Sequence, residues 1–138
     1  MTTRQTARTG EARHTRQLTH PTPQQALGAY GERVAQAHLC EQGMEVLDRN
    51  WHGSAGELDL LLRDGHVLVA CEVKTRSGDT GGAPHEAVTP AKVERMMLLV
   101  EEWQRLRGVT AQDVRLDLVA VWHPSRGAAR VEHVRGLV

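Results

Sequence analysis

Four ionisable residues fall at two-residue spacings inside one short stretch: Glu57 and Asp59 in Gly-Glu-Leu-Asp-Leu, then Glu72 and Lys74 in Glu-Val-Lys. On a strand, side chains two residues apart share a face. The runs carrying the two pairs are apolar and flank Asp64-Gly65, a dipeptide suited to a two-residue hairpin turn. If Arg63 faces His66, Asp59 falls opposite Ala70, Glu57 opposite Glu72 and Lys74 opposite Ala55. One face of the hairpin is then expected to carry Leu58, Leu60, Leu62, Val67, Val69, Cys71 and Val73. The other carries Leu61, Leu68 and Ala70 near the turn, with Glu57, Asp59, Glu72 and Lys74 bunched at the far end. Like charges opposite each other oppose strand pairing, and covered carboxylates are costly unless paired or metal-bound. A divalent cation resolves that conflict, and hard oxygen donors suit Mg²⁺ or Mn²⁺. The competing reading is a solvated hairpin end, in which Lys74 pairs with Glu72 and Glu57 and does no chemistry.

The elements that must hold this group come from the rest of the chain. With 138 residues there is enough for one compact domain. Basic and acidic residues number 17 each, so no overall field of either sign steers a partner. The balance is uneven along the chain: residues 1–27 hold four arginines against Glu11 alone, a net +3, which leaves −3 for the remainder. Residues 1–23 have no periodicity and read as a disordered basic tail, with 24–138 as a single domain. No apolar run reaches the length of a membrane span and the first twenty residues lack the apolar centre of a secretion signal. A cytoplasmic protein with no membrane partner is expected. Cys71, within an apolar strand face, reads as a buried reduced thiol.

From Gln24 to Gln42, Leu27, Tyr30, Val34 and Ala37 recur at helical spacing, and Gly43 stops the helix. Glu32 shares a stripe with Gly28, Ala35 and Leu39. It points either toward the sheet or, as a rim carboxylate, toward Arg33 or Gln36. Met44–Trp51 reads as a strand with Met44, Val46 and Asp48 on one side, and His52–Gly56 as a turn. Thr75–Val88, rich in glycine, reads as a loop leaving the charged end of the hairpin, with Arg76 and His85 as candidate contacts. Thr89-Pro90 starts a second helix that ends at Gly108, with Val93, Met96, Met97, Val100 and Trp103 as its buried stripe. Its Lys92 and Arg95 are placed to reach a phosphate or to sit as solvated surface charges. Asp113–Trp122 alternates as a strand, carrying Arg115 and Asp117 as a partly covered ion pair, and Ala129–Val134 forms a short edge strand. The order helix, strand, hairpin, helix, strand, strand predicts an α/β arrangement of helices on a mixed sheet.

With these residues placed, the sequence resembles the bacterial UPF0102 (YraN-like) proteins. The matching pieces are Gly31-Glu32-Arg33-Val34-Ala35, Asn50-Trp51, Gly56-Glu57-Leu58-Asp59-Leu60, Glu72-Val73-Lys74-Thr75-Arg76, Lys92 and Arg115-Leu116-Asp117. That family looks like a branch of the PD-(D/E)xK nuclease superfamily, and the resemblance implies a restriction-endonuclease-like mixed sheet flanked by helices, with a central hairpin. It carries metal binding over to Asp59 and Glu72, the catalytic ammonium to Lys74, and an auxiliary acid to Glu32. No Pro-Asp occurs at the first motif, where Gly56-Glu57-Leu58-Asp59 stands in, so Glu57 and Asp59 compete as principal ligand.

The resemblance implies a Mg²⁺- or Mn²⁺-dependent nuclease acting on DNA, branched or flapped forms included, with Arg76, Lys92 and Arg95 as nucleic-acid contacts and a homodimer by analogy with resolvases. The alternative is a non-catalytic nucleic-acid-binding or repair-accessory protein on the same fold. The −3 charge outside the tail and the scarcity of aromatics favour it, because phosphate affinity normally needs an excess of cations. A third reading is a partner-binding domain whose charged cluster is only a solvated edge.

Overall fold

The computed structural model describes residues 20–78 and 88–138. Residues 1–19 of the tail, and residues 79–87 of the loop with the candidate contact His85, lie outside this range. The elements are α1 (Pro23–Glu41), β1 (Glu45–Gly53), β2 (Gly56–Asp64), β3 (Val67–Ser77), α2 (Pro90–Arg107), β4 (Asp113–His123) and β5 (Arg130–Arg135), in the predicted order. Pro23, assigned above to the tail, is the first helical residue. Thr22 caps it by accepting the Gln25 N–H at 3.1 Å, while Gln25 Oε1 accepts the Thr22 N–H at 2.9 Å. At the second helix Thr89 is the cap, Pro90 the first residue and Gly108 the left-handed stop, as expected.

The strands form one five-stranded sheet in chain order, with β3 and β4 parallel and the other neighbours antiparallel. A parallel pair needs a crossover, and α2 supplies it. The α1 face buries Ala35, Leu39, Leu60, Leu62, Val69, Cys71, Val119 and Val121. The α2 face buries Leu58, Leu61, Leu68, Ala70, Met96, Leu99, Val100, Trp103 and Leu116. This is the α/β mixed sheet with flanking helices and a central hairpin expected from the sequence, and it is consistent with a restriction-endonuclease-like fold.

The predicted stripes hold in part: Tyr30 and Val34 pack on the α1-side core, and Val93, Met96, Val100 and Trp103 on the α2-side core, but Ala37 and Met97 do not. In α1 the core positions are Gly31, Ala35 and Leu39 while Ala37 is exposed, because small residues let the helix approach the sheet: a Cβ on Gly31 would overlap Thr75 Oγ1 and lie 2.7 Å from Thr75 Cβ. In α2 Leu99 is buried and Met97 is 43% exposed. The two positions lie on neighbouring stripes of the helix's apolar stretch Met96–Val100, and the sheet selects between them.

The hairpin turn is displaced by one residue. Asp64 pairs with Val67, Leu62 with Val69 and Leu60 with Cys71, so the two-residue loop is Gly65-His66. Gly65 has φ 63° and no non-glycine residue other than Asn50 has a positive φ among the described residues. Glycine at the first loop position fits a type II′ turn, whereas Asp64-Gly65 would have needed Asp64 at positive φ. Asp64 instead stays in the strand, where its carboxylate accepts from Arg115 at 3.1 Å. Cross-strand partners shift by two residues as a result, which preserves the face of every β3 side chain.

Candidate functional site

Strict alternation fails on β2 at the charged end. Leu60 and Leu62 pack toward α1, but Leu58 packs with Leu61 toward α2, so the predicted single apolar face is not formed. The cause lies on β1. Asn50 has φ 49° and stands opposite Asp59, between the pairs Arg49–Leu60 and Trp51–Leu58. A left-handed residue turns the side chains that follow it, and asparagine is among the few non-glycine residues that tolerate the conformation. Trp51 thereby packs with the α2-side cluster, and Leu58 with it, while Arg49 faces a cavity on the α1 side. An irregularity between Val46 and Asp48 likewise removes Asp48 from the side of Met44 and Val46. Its Oδ2 accepts from Trp103 Nε1 at 3.1 Å and from Arg107 at 2.6 Å.

Turned this way, Glu57 and Asp59 reach α1. Glu32, Glu57 and Asp59 each offer a carboxylate oxygen within 4.8 Å of the others. The Asn50 amide bridges two of them: with its nitrogen toward the carboxylates, it lies 3.2 Å from Glu57 Oε1 and 3.2 Å from Glu32 Oε1. That orientation is the one in which a donor meets acceptors. Among the described residues Glu32 makes no ion pair with Arg33, so the rim-carboxylate reading fails and the sheet-facing one holds. Burial raises the Glu32 carboxyl above its ordinary range and Glu57 adds to the shift, against the opposing Asn50 hydrogen bond. Glu57 also lies 2.9 Å from His52 Nε2.

Glu72 leaves the other face of the sheet, toward α2, where Lys92 Nζ lies 3.3 Å from its Oε1. The Glu72–Lys74 pair of the competing, solvated-end reading is absent among the described residues, and Lys74 is exposed, two positions along the same face of β3. Asp59 joins the two groups. The β2–β3 pairing runs only as far as Leu60–Cys71, and beyond it the Val73 N–H donates to Asp59 Oδ2 at 2.8 Å. The side chain of Asp59 thus lies in the gap between the strands, against Glu72 and near Glu32. Burial pushes its carboxyl up, the Glu72 carboxylate adds to the rise, and the Val73 hydrogen bond opposes them; it titrates at about 7. The cluster expected on one face is therefore a group that passes through the sheet at an interrupted ladder.

Composition sharpens the picture. Lys74 and Lys92 are the only lysines among 17 basic residues. A compact ammonium and a planar guanidinium are not interchangeable, and this chain keeps the ammonium only beside Glu72. Arg76 is half-buried on β3, and the Arg95 side chain lies against Gly56, where a Cβ would come within 3.4 Å of Arg95 Cδ. Sequence reasoning missed the role of Asn50 and the partner of Glu72. Asn50 stood out only by its residue type and by its place in the Asn50-Trp51 piece of the resemblance, and nothing local marked Lys92 as the partner of Glu72.

The donor set fits a hard divalent cation. Oxygen ligands about 2.1 Å from Mg²⁺ lie up to about 4.2 Å apart, so a small closure of Glu32, Glu57 and Asp59 would suffice, and Glu72 adjoins Asp59. The late-strand pair is structural. Arg115 grips the fully buried Asp117 with bonds of 2.9 and 3.0 Å, and His133 and the Gly136 N–H complete its shell. Burial pushes Asp117 up, but these hydrogen bonds outweigh it and hold the carboxyl below its usual range. Cys71 is fully buried, and burial, then Asp117, push its thiol well above the ordinary value, as fits an inert thiol.

Residues 31–121 match the profile of the family described as Uncharacterised protein family UPF0102. The chain belongs to that family. A UPF0102 protein of Nocardioides sp. is 58% identical over 113 residues, covering 82% of this chain and 91% of its own length. A second, from Kineococcus radiotolerans, is 50% identical over 121 residues, with 87% and 99% covered, and a third, from Streptomyces coelicolor, is 52% identical over 114 residues, with 81% and 88% covered. The matched region of this UPF0102 chain contains Glu32, Asn50, Glu57, Asp59, Glu72, Lys74 and Lys92. No helix among the described residues is long and apolar enough to cross a membrane.

Proposed function

We propose that this UPF0102 protein is a metal-dependent nuclease that hydrolyses phosphodiester bonds in DNA, branched or flapped forms included, in the cytoplasm. The observation that carries the reading is the contact of Asp59 with Glu72 at the interrupted ladder, flanked by Glu57, Glu32 and the only two lysines. Asp59, Glu72 and Glu57 would hold Mg²⁺ or Mn²⁺, with Glu32 alongside. When bound, the cation supplies charge neutralisation at the scissile phosphate and activation of water.

The protein's own groups do the rest. The Val73 N–H fixes one Asp59 oxygen and leaves the other free to bind. Lys74, exposed at the same end, orients the attacking water and offsets charge building on the pentavalent phosphorus. Water adds to phosphorus, the ester P–O bond breaks, and the departing oxygen takes a proton, leaving a phosphomonoester and a hydroxyl. Lys92, 3.3 Å from Glu72 Oε1, pairs with that carboxylate beside the gap. Arg76, Lys92 and Arg95 border the approach for nucleic acid, and a symmetric dimer would present two such sites to a junction.

The test is cleavage of a duplex, flap, single-strand and four-way-junction panel with Mg²⁺ and with Mn²⁺. Lys74→Ala and Asp59→Asn are expected to lower cleavage at least about 100-fold, the usual scale for losing an electrostatic stabiliser. Equal cutting by both variants and the parent overturns the assignment. The second reading, a non-catalytic nucleic-acid-binding protein, is favoured by the −3 charge outside the tail. Retained binding with no cleavage of any substrate decides for it.

A further inference from the structure

A cavity of about 190 Å³ opens beside the carboxylate group, lined by Ala29, Glu32, Arg33, Gln36, Arg49, Asn50 and Leu60. Arg33 comes from α1 and Arg49 from β1, so two elements aim guanidiniums at one space. Both are exposed, and among the described residues neither makes an ion pair, although Glu32 lines the same cavity. The Glu32 carboxylate is engaged by the Asn50 amide instead. Among the described residues two forked cations are thereby left unpaired next to a carboxylate they could have neutralised, and Gln36 adds a neutral hydrogen-bonding group to the same lining. Guanidiniums in this arrangement match the oxygens of a phosphate diester.

We propose that this cavity is a phosphate subsite, in which Arg33 and Arg49 hold the backbone phosphodiester next to the one undergoing hydrolysis. The proposal rests on the nuclease reading and extends it with two residues on the opposite side of the sheet from Lys92 and Arg95. It accounts for how a domain with no excess of positive charge binds a polyanion: the cations are few, but they are placed on both sides of the acidic gap. A strand lying across the end of the β2–β3 ladder would meet Arg33 and Arg49 on the α1 side, the acidic group in the middle, and Lys92 and Arg95 on the α2 side.

The test uses the full chain in Ca²⁺. Anisotropy of a fluorescein-labelled duplex, flap, single strand and junction is measured from low to high salt for the parent, Arg33→Gln, Arg49→Gln and the double variant. Both substitutions lie on the surface, and unchanged melting temperatures certify folding. The double variant is expected to bind about tenfold more weakly or worse, with the logarithmic salt slope smaller by about 1.4–1.8, the scale of two lost phosphate contacts. A parent that binds while the double variant keeps its affinity and slope overturns the subsite and leaves the nuclease reading standing. A parent that binds nothing in the panel removes the nucleic-acid reading and the subsite with it.

A second readout locates the ligand. Titrating the phosphorylated dinucleotide pTpT into ¹⁵N-labelled protein is expected to shift the Arg33 and Arg49 Nε resonances more strongly than the same concentration of inorganic phosphate. Shifts confined to other arginines, or equal shifts with inorganic phosphate, overturn the assignment to a nucleic-acid strand.

Discussion

The Asp59 carboxylate accepts the backbone N–H of Val73 at 2.8 Å, just beyond the last β2–β3 pair at Leu60–Cys71. A side chain thus takes the hydrogen bond that a neighbouring strand would otherwise supply, and the vacated space is where Glu72 meets it. The structure tolerates the proximity of two carboxylates because the Asp59 carboxyl holds a proton to unusually high pH.

That proximity has a pH signature. Asp59 titrates at about 7 in the folded protein against an ordinary value of 3.8, so the folded chain binds the proton more tightly than the unfolded one. The stabilisation is complete below about pH 4 and is lost as pH rises through 7. Without divalent cation, Asp59→Asn is expected to exceed the parent in stability above pH 7 by at least about 1 kcal/mol, the worth of one pKa unit, and to match it near pH 4. Urea denaturation across this range checks it; a constant difference between the two proteins refutes the raised Asp59 titration.

Asn50 combines a left-handed backbone with an amide between two carboxylates, and substitutions separate the two roles. Asn50→Gly keeps the backbone freedom and loses the amide, so it should fold with little loss while weakening Mn²⁺ binding. Asn50→Ala adds the cost of a Cβ at φ 49°, about 1–2 kcal/mol. Equal stability of the two variants would show that the backbone conformation is not held as described.

Lys92 competes with a cation for Glu72. Removing its charge with Lys92→Met is expected to tighten Mn²⁺ binding severalfold in calorimetry, about 0.5–1 kcal/mol for a partly covered pair, while slowing cleavage. Weaker Mn²⁺ binding by Lys92→Met would mean that the lysine supports the site and does not occupy it.

Gly31 sets how closely α1 lies on β3. Gly31→Ala drives a methyl into Thr75 and is expected to cost about 1–3 kcal/mol, with much of the loss recovered in the double variant with Thr75→Gly. Failure of that second substitution to restore stability would place the strain elsewhere.

Much of this arrangement was legible in the sequence, for definite reasons. Thr89-Pro90 and Gly108 mark α2 because caps and stops are local chemistry. Glu72 and Lys74 keep their face although the turn was misplaced, since a two-residue shift equals the side-chain period of a strand. Long-range geometry hid the remainder. The side change at Leu58 depends on a backbone angle at Asn50 on another strand, and the Glu72–Lys92 pair joins a strand to the second helix. Leu99 and Met97 are equally apolar, so only the sheet decides which is covered. Asp64 looked like a turn residue until Arg115, 51 positions away, claimed it for the strand.

The halves of the donor set stand on unequal mechanical footing. Glu72 and Lys74 ride on a strand fastened to β4 without interruption from Val67 to Ser77, whereas Glu57 and Asp59 ride on one whose charged end is tied by strand pairing to β1 alone. One jaw of the clamp is anchored and the other is sprung.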